Sequence, residues 1–442
     1  MRFAAITLLI IIGLYKSIMV SSWSLILFNW VTFMKPQDLD FSFWRGKPMF
    51  LFALAFLMFI NIVHKNFRLK MSSFLILFSL LYFWIIVCCF FAFIPDIAWS
   101  YFTIYIVNYL PTFIIVSACI NSLNDVKYSI GTMSISITLL AAKVGLSNTL
   151  SGGGRITDAI DGFVGDNNGI GLCVSLAIGA TIGVLSMIEN KYLKIALFIC
   201  ILLGIMTVLY TQSRGAFLTL AIIIMLSVIA SKHRIRYAII VSIIVITGYL
   251  MLPASMFERL DTLNSVEEDT SAMGRVDMWK GALKIAEVKP INGAGPGNFR
   301  AFNHFLNPKM IGLVTHSIYF QLLSDTGYVG LIIYLTIIIS TLVLLQKTYS
   351  LSKKYHNIFP EYHWVEQVSF WLRNALIGYM FGSGLLDMVP FDIPWYYLLY
   401  ASLLHKMFEN ELNEKIEAAE NGEALEWEDG NVCDAADTLK KF

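Results

Sequence analysis

Apolar runs close to 20 residues recur along this chain, and that recurrence constrains its fold more than any motif does. Such a run matches the hydrocarbon thickness of a bilayer, where only helices and closed barrels satisfy their own backbone. Expected spans lie at 3–34 (read as one unit), 48–63, 73–93, 102–120, 128–145 and 168–188, then 192–210, 215–230, 237–252, 317–345, 369–388 and 394–405. Only 14% of the 442 residues are charged, against about 25% in soluble domains. The expected fold class is an all-α polytopic membrane protein with about twelve transmembrane helices. A formal net charge of +1 provides no electrostatic footprint for nucleic acid, so that class of partner is set aside.

Charge in the short connections sets the orientation. The stretches 64–70, 189–194, 231–236 and 347–373 are rich in Lys and Arg, which marks cytoplasmic loops. The stretches 94–100 and 389–393 contain neither residue, so they and the segments 147–167, 211–214 and 253–316 are expected outside the cytoplasm. The run 3–34 fits this scheme poorly. It is too long for one straight helix and short for two, and parity with a cytoplasmic Arg2 asks it to cross once, as one span plus a re-entrant piece. No A-x-A-like site follows the apolar start, which reads as a retained anchor. Cys88, Cys89, Cys119, Cys173 and Cys200 sit in apolar runs and Cys433 in the tail. The long loop is therefore expected to hold neither a disulfide nor a thiolate metal site.

The chain divides into an N-terminal membrane region (1–252), a large extracytoplasmic loop (253–316), C-terminal spans (317–405) and a tail (406–442). The tail is acidic and reads as a frayed helix followed by disorder. The loop is balanced in charge from Pro253 to Thr315, so individually placed arginines rather than a basic patch would bind an anion. Val276, Trp279, Leu283 and Ala286 recur at helical spacing, which predicts an amphipathic helix ended by Pro290 and Asn292-Gly293. Gly293-x-Gly295-Pro296-Gly297 has no strand before it. It therefore reads as a tight turn packed on the membrane domain rather than a nucleotide loop.

Four polar residues carry the chemical expectations. Arg214 joins two spans with almost no loop, and an arginine in the apolar slab costs roughly 2.5–3.5 kcal/mol, so it either snorkels or holds an anion. Arg275 falls in the first turn of the loop helix, where free N–H groups also attract anions; the alternative is a surface ion pair with Asp277 or Glu258. His316 precedes the span beginning at Ser317, placed either to take a proton from a hydroxyl or to cap a helix. Arg155 belongs to a second irregular segment that begins with three glycines. His304 reads as structural. Asp38-Leu39-Asp40 matches the acidic pair of metal-dependent glycosyltransferases over three residues only.

Taken in order, Thr211-Gln212-Ser213-Arg214-Gly215, Gly274-Arg275 with Trp279, Gly293-x-Gly295-x-Gly297-Asn298-Phe299 and His316-Ser317 resemble the O-antigen ligase and polymerase superfamily. Phe28-Asn29-Trp30 through Met34-Lys35-Pro36 is also similar to exosortase-associated O-glycosylation ligases within it. The resemblance implies a GT-C-like helical membrane fold in the bacterial inner membrane. It implies inverting, metal-independent transfer without a cofactor, from a glycan on undecaprenyl pyrophosphate to lipid A-core or protein, on the periplasmic side. It assigns His316 to the acceptor hydroxyl and Arg214 and Arg275 to the pyrophosphate, with Arg155 assisting. A polymerase that extends a lipid-linked chain would need the same groups. A transporter or flippase would instead show charges inside its spans, where this chain has few beyond Lys143 and Asp387.

Overall fold

In the computed structural model the described residues are 2–36, 49–156, 166–230, 234–236, 239, 242, 270–301, 313–386, 392–420, 425–426 and 432–433. The first apolar run is not one continuous helix. It breaks at Val20 and Ser21 into α1 (Arg2–Met19) and α2 (Ser22–Met34). The two fold back on each other, and a Cβ added to Gly13 would come within 2.9 Å of the Leu27 side chain. Asn66 donates to the Ser21 hydroxyl at 2.9 Å and His64 contacts the Ile18 carbonyl at 3.0 Å, so the hairpin turn lies beside the basic 64–70 connection. Arg2 and Lys35 therefore sit at the opposite end. In place of one span plus a re-entrant piece, the run is a pair of short helices joined by two turn residues.

The chain continues through α3 (Met49–Val63), α4 (Ser73–Phe90) and α5 (Pro95–Tyr101), which passes through a π-helical turn at Phe102–Ile106 into α6 (Tyr109–Cys119). Next come α7 (Leu123–Leu150), α8 (Asn167–Val184), α9 (Lys191–Thr211) and α10 (Arg214–Ala230). Ser122 and Asp125 open α7 with a capping box, each side chain accepting the other's backbone N–H. After the undescribed part of the loop come α11 (Thr270–Val288), α12 (Ile318–Tyr355), α13 (His363–Ser383) and α14 (Asp392–Glu420). Among the described residues the fold is helical apart from a two-residue antiparallel pairing of Leu425–Glu426 with Val432–Cys433 in the acidic tail.

Among the described residues, six segments are long and apolar enough to cross a bilayer: α4, α5 with α6, α7, α8 with its short 3-10 extension, α9 and α12. Four shorter apolar helices, α1, α2, α3 and α10, accompany them. The expected spans 369–388 and 394–405 fall in α13 and α14, which belong to neither group; α14 starts apolar but runs on into the acidic stretch to Glu420. The expected span 237–252 lies almost wholly outside the described residues.

The centre of the bundle is α8, 78% of whose apolar stretch is buried, against 28% for α9 and 33% for α12. Small residues put it there. A Cβ on Gly171 would meet Ala216 and Thr211, and one on Gly179 would meet Ala375 at 2.7 Å. In lipid, where apolar burial alone gives helices no preference for each other, such close backbone approach lets van der Waals contact drive packing. The less buried α9 and α12 are left to face the hydrocarbon. A buried polar link adds specificity: Asn29 of α2 accepts from the Tyr400 hydroxyl of α14 at 2.7 Å.

Candidate functional site

The loop helix and its glycine turn are built into a break in α12. Gly327 has φ 68° and ψ −171°, a conformation essentially confined to glycine, and it splits α12 inside its first third. The break exposes carbonyls that a continuous helix would use. Ala294 N–H donates to Ser324 O at 2.7 Å and Gly295 N–H to Asp325 O at 3.0 Å, while Tyr328 N–H returns a bond to Pro290 O at 2.8 Å. The Trp84 indole of α4 donates to the freed Thr326 carbonyl at 3.0 Å. The fit leaves no room for side chains. A Cβ on Gly327 would lie 2.2 Å from the Ile291 carbonyl, and one on Gly293, at φ 63°, would lie 2.6 Å from the Ser324 carbonyl. The turn also grips the connection after α4. Asn298 is buried and accepts the Ile94 N–H at 2.8 Å, and Lys289 donates to Phe91 O at 2.6 Å. The motif is thus a backbone-to-backbone joint, and α11 is docked on the end of the bundle that carries the Lys- and Arg-free 94–100 connection.

On α11 the buried stripe is Met278, Ala282, Ile285 and Ala286; the first three pack with Ala294 and Phe299, and Phe320 packs against that cluster. Leu283, expected on that face, stands 41% exposed. Apolar residues occur on two neighbouring stripes of this helix, and the smaller side chains of the Ala282 stripe allow the closer approach.

His316 follows directly from this docking. Trp279 of α11 donates its indole N–H to the Thr315 carbonyl at 3.0 Å and stacks on Phe320, ring centres 5.2 Å apart. The peptide before His316 is therefore pinned to the loop helix, and the first turn of α12 behind it is pinned as well. His316 itself has φ 50°, in the left-handed region that a histidine rarely adopts, and its side chain is half-buried. Arg275, expected in the first turn of the loop helix, is instead the sixth residue of α11, because the helix starts at Thr270; it lies one turn before Trp279 on the same face and is half-buried.

Arg214 reaches the same end from a different direction. It is the first residue of α10, after Gln212, whose left-handed φ of 52° turns the chain out of α9. Gly215 packs against Gly382 and Leu386 at the end of α13, and Gly384 packs against Tyr319, three residues after His316. The Tyr319 hydroxyl fastens this contact by donating to Met380 O at 2.6 Å. Arg155 is exposed; its neighbour Ile156 donates to the Tyr210 carbonyl at 3.0 Å, just before the Arg214 turn. All four residues thus occupy one end of the bundle; the Trp279–Thr315 hydrogen bond ties the helix of Arg275 to the peptide before His316, and the Tyr319 contacts tie the first turn of α12 to the end of α13 on which Gly215 packs. Asp38, Asp40, His304 and Glu258 lie outside the described residues.

Such an end has the elements for acyl-free group transfer to a hydroxyl: an imidazole held by its backbone, and guanidinium groups that hydrogen-bond oxyanions bidentately. Residues 198–335 match the family model described as O-antigen ligase, a stretch that contains Arg214, Arg275, the glycine joint and His316. Residues 198–335 thus form an O-antigen ligase domain. That domain begins in α9 and ends in α12 just beyond the Gly327 break. Residues 1–193 match a second model, described as a family of unknown function. An uncharacterized protein of Haemophilus influenzae is 24% identical over 238 residues, covering 48% of this chain and 60% of that protein. The chain thus matches less than two thirds of that relative's length. The sequence motifs included neither Gly327, within the ligase domain, nor its Trp84 partner on α4. A glycine nine residues into an apolar run was the available signal for the break.

Proposed function

We propose that this protein is a GT-C-like glycosyltransferase of the bacterial inner membrane that moves a glycan from undecaprenyl pyrophosphate to an acceptor hydroxyl. The acceptor is lipid A-core or a protein, the site faces the periplasm, and the transfer inverts the anomeric centre without a metal ion. His316 takes the proton of the acceptor hydroxyl as its oxygen attacks the anomeric carbon. The bond from that carbon to the pyrophosphate oxygen breaks, and the leaving charge settles on the pyrophosphate between Arg214 and Arg275, with Arg155 at the margin. A lipid pyrophosphate is already a good leaving group, so fixed guanidinium groups suffice to stabilise it.

The observation that carries this reading is the Trp279–Thr315 hydrogen bond, because it couples the helix bearing Arg275 to the backbone that presents His316. The periplasmic placement rests on charge: this end shares its side with the 94–100 connection, which has no Lys or Arg.

Purified protein given a labelled lipid-linked glycan and separate acceptors tests the reaction. Label appearing on lipid A-core or protein supports the ligase, and a lengthened lipid-linked chain identifies a polymerase. Movement of intact donor across a vesicle without any new glycosidic bond overturns both.

A further inference from the structure

At the end of the bundle opposite His316, where α12 turns into α13, three side chains converge that the transfer reaction does not use. We propose that His356, His363 and Glu366 form a binding site for a divalent transition-metal ion of the zinc class. Their ligand atoms all lie within 4.8 Å of one another. His356 Nδ1 is 3.4 Å from Glu366 Oε2, and His363 Nδ1 is 4.0 Å from the same oxygen. Metal–ligand bonds of about 2.0–2.1 Å in a tetrahedral site put neighbouring donors about 3.3 Å apart. The His356–Glu366 distance already fits, and the other two, 4.0 Å and at most 4.8 Å, need closure.

The independent observation is His356 Nδ1. It is buried and makes no hydrogen bond, although the Glu366 carboxylate is within 3.4 Å. A buried ring nitrogen left unpaired is unfavourable, and a coordinated cation satisfies it together with the carboxylate. Two imidazole nitrogens and one carboxylate oxygen are the borderline donors that zinc and its neighbours prefer, and a fourth position stays open to water.

The turn that brings the three together is tied down by hydrogen bonds and an ion pair. His356 caps the end of α12, a 3-10 turn at Pro360–Tyr362 reverses the chain, and His363 opens α13 with Glu366 one turn further on the same face. The Ser352 hydroxyl holds the Tyr362 carbonyl at 3.0 Å, and the Tyr362 hydroxyl donates to Glu411 at 3.0 Å. Lys415 reaches Glu361 at 2.7 Å. A bound ion would clasp α12 to α13 at this end, independently of any glycan chemistry.

The test uses the full chain, purified in detergent, stripped with chelator and titrated with Co²⁺ alone, with Zn²⁺ as competitor. A single saturable site with ligand-field bands in the visible, displaced by Zn²⁺, is expected. Glu366→Gln and the double variant His356→Ala/His363→Ala should weaken binding more than about a hundredfold, beyond the loss typical of outer-shell partners. His64→Ala should leave it unchanged. The two histidine side chains are 40% and 50% exposed, so their removal should preserve the elution profile and metal-free thermal unfolding. Absence of saturable binding, or undiminished binding by the folded double variant, overturns the site and leaves an ordinary His–Glu ion pair.

Discussion

The Trp279 indole N–H donates to the Thr315 carbonyl at 3.0 Å, and the same ring stacks on Phe320. One side chain thus ties a helix of the large loop to the peptide that precedes His316. Trp279→Phe keeps the ring and loses the bond, about 0.5–1.5 kcal/mol, so transfer should slow several-fold. Trp279→Ala also forfeits the stacking, about 0.5–1.5 kcal/mol more, and should slow it by roughly tenfold or beyond. Initial rates on folded protein check this, and an alanine variant at full speed would uncouple the loop from the site.

The joint between the glycine turn and α12 should be the least substitutable part of the domain. Gly327→Ala places a side chain where only glycine is at ease and drives a Cβ into the Ile291 carbonyl, so a loss of at least about 1–3 kcal/mol is expected in denaturant unfolding. Gly274→Ala is the control. Its Cβ would meet nothing within 4 Å, and stability should stay within about 0.5 kcal/mol.

Arg275→Lys and Arg214→Lys each keep a positive charge and lose the planar fork. If the guanidinium groups hold a pyrophosphate bidentately, each change should lower turnover by roughly 10- to 100-fold, since a charged hydrogen bond is worth about 1.5–3 kcal/mol. Near-normal kinetics with lysine at both positions would point to a general field effect instead.

Orientation can be checked apart from chemistry. In a background without Cys200 and Cys433, a membrane-impermeant thiol reagent applied to spheroplasts should label Asp96→Cys but not Glu189→Cys. Both positions are exposed, at opposite ends of the bundle, and the four remaining cysteines, Cys88, Cys89, Cys119 and Cys173, are buried. The reverse pattern would place the His316 end in the cytoplasm.

Much of this was legible in the residues because membrane burial writes itself as apolar length and short motifs mark the loop. The amphipathic helix ending before Asn292 and the structural role of the glycine turn both follow from pattern alone. The hairpin at Val20-Ser21 was not legible, because neither residue is a helix breaker and the apolar run continues through them. The buried face of α11 was misread by about one position, since apolar residues occupy two adjacent stripes and only the packing partner decides between Leu283 and Ala282. The His356–His363–Glu366 cluster escaped because its members are unremarkable until the turn after α12 folds them together.

His316 offers the most direct test of the whole account. Its left-handed φ of 50° is one that asparagine also tolerates, so His316→Asn should keep the backbone while removing the base. With purified protein, labelled lipid-linked donor, acceptor and chelator present, the parent should form the new glycosidic bond. The asparagine variant should do so about 10²- to 10⁴-fold more slowly. Transfer at the parental rate by folded His316→Asn protein would contradict the assignment.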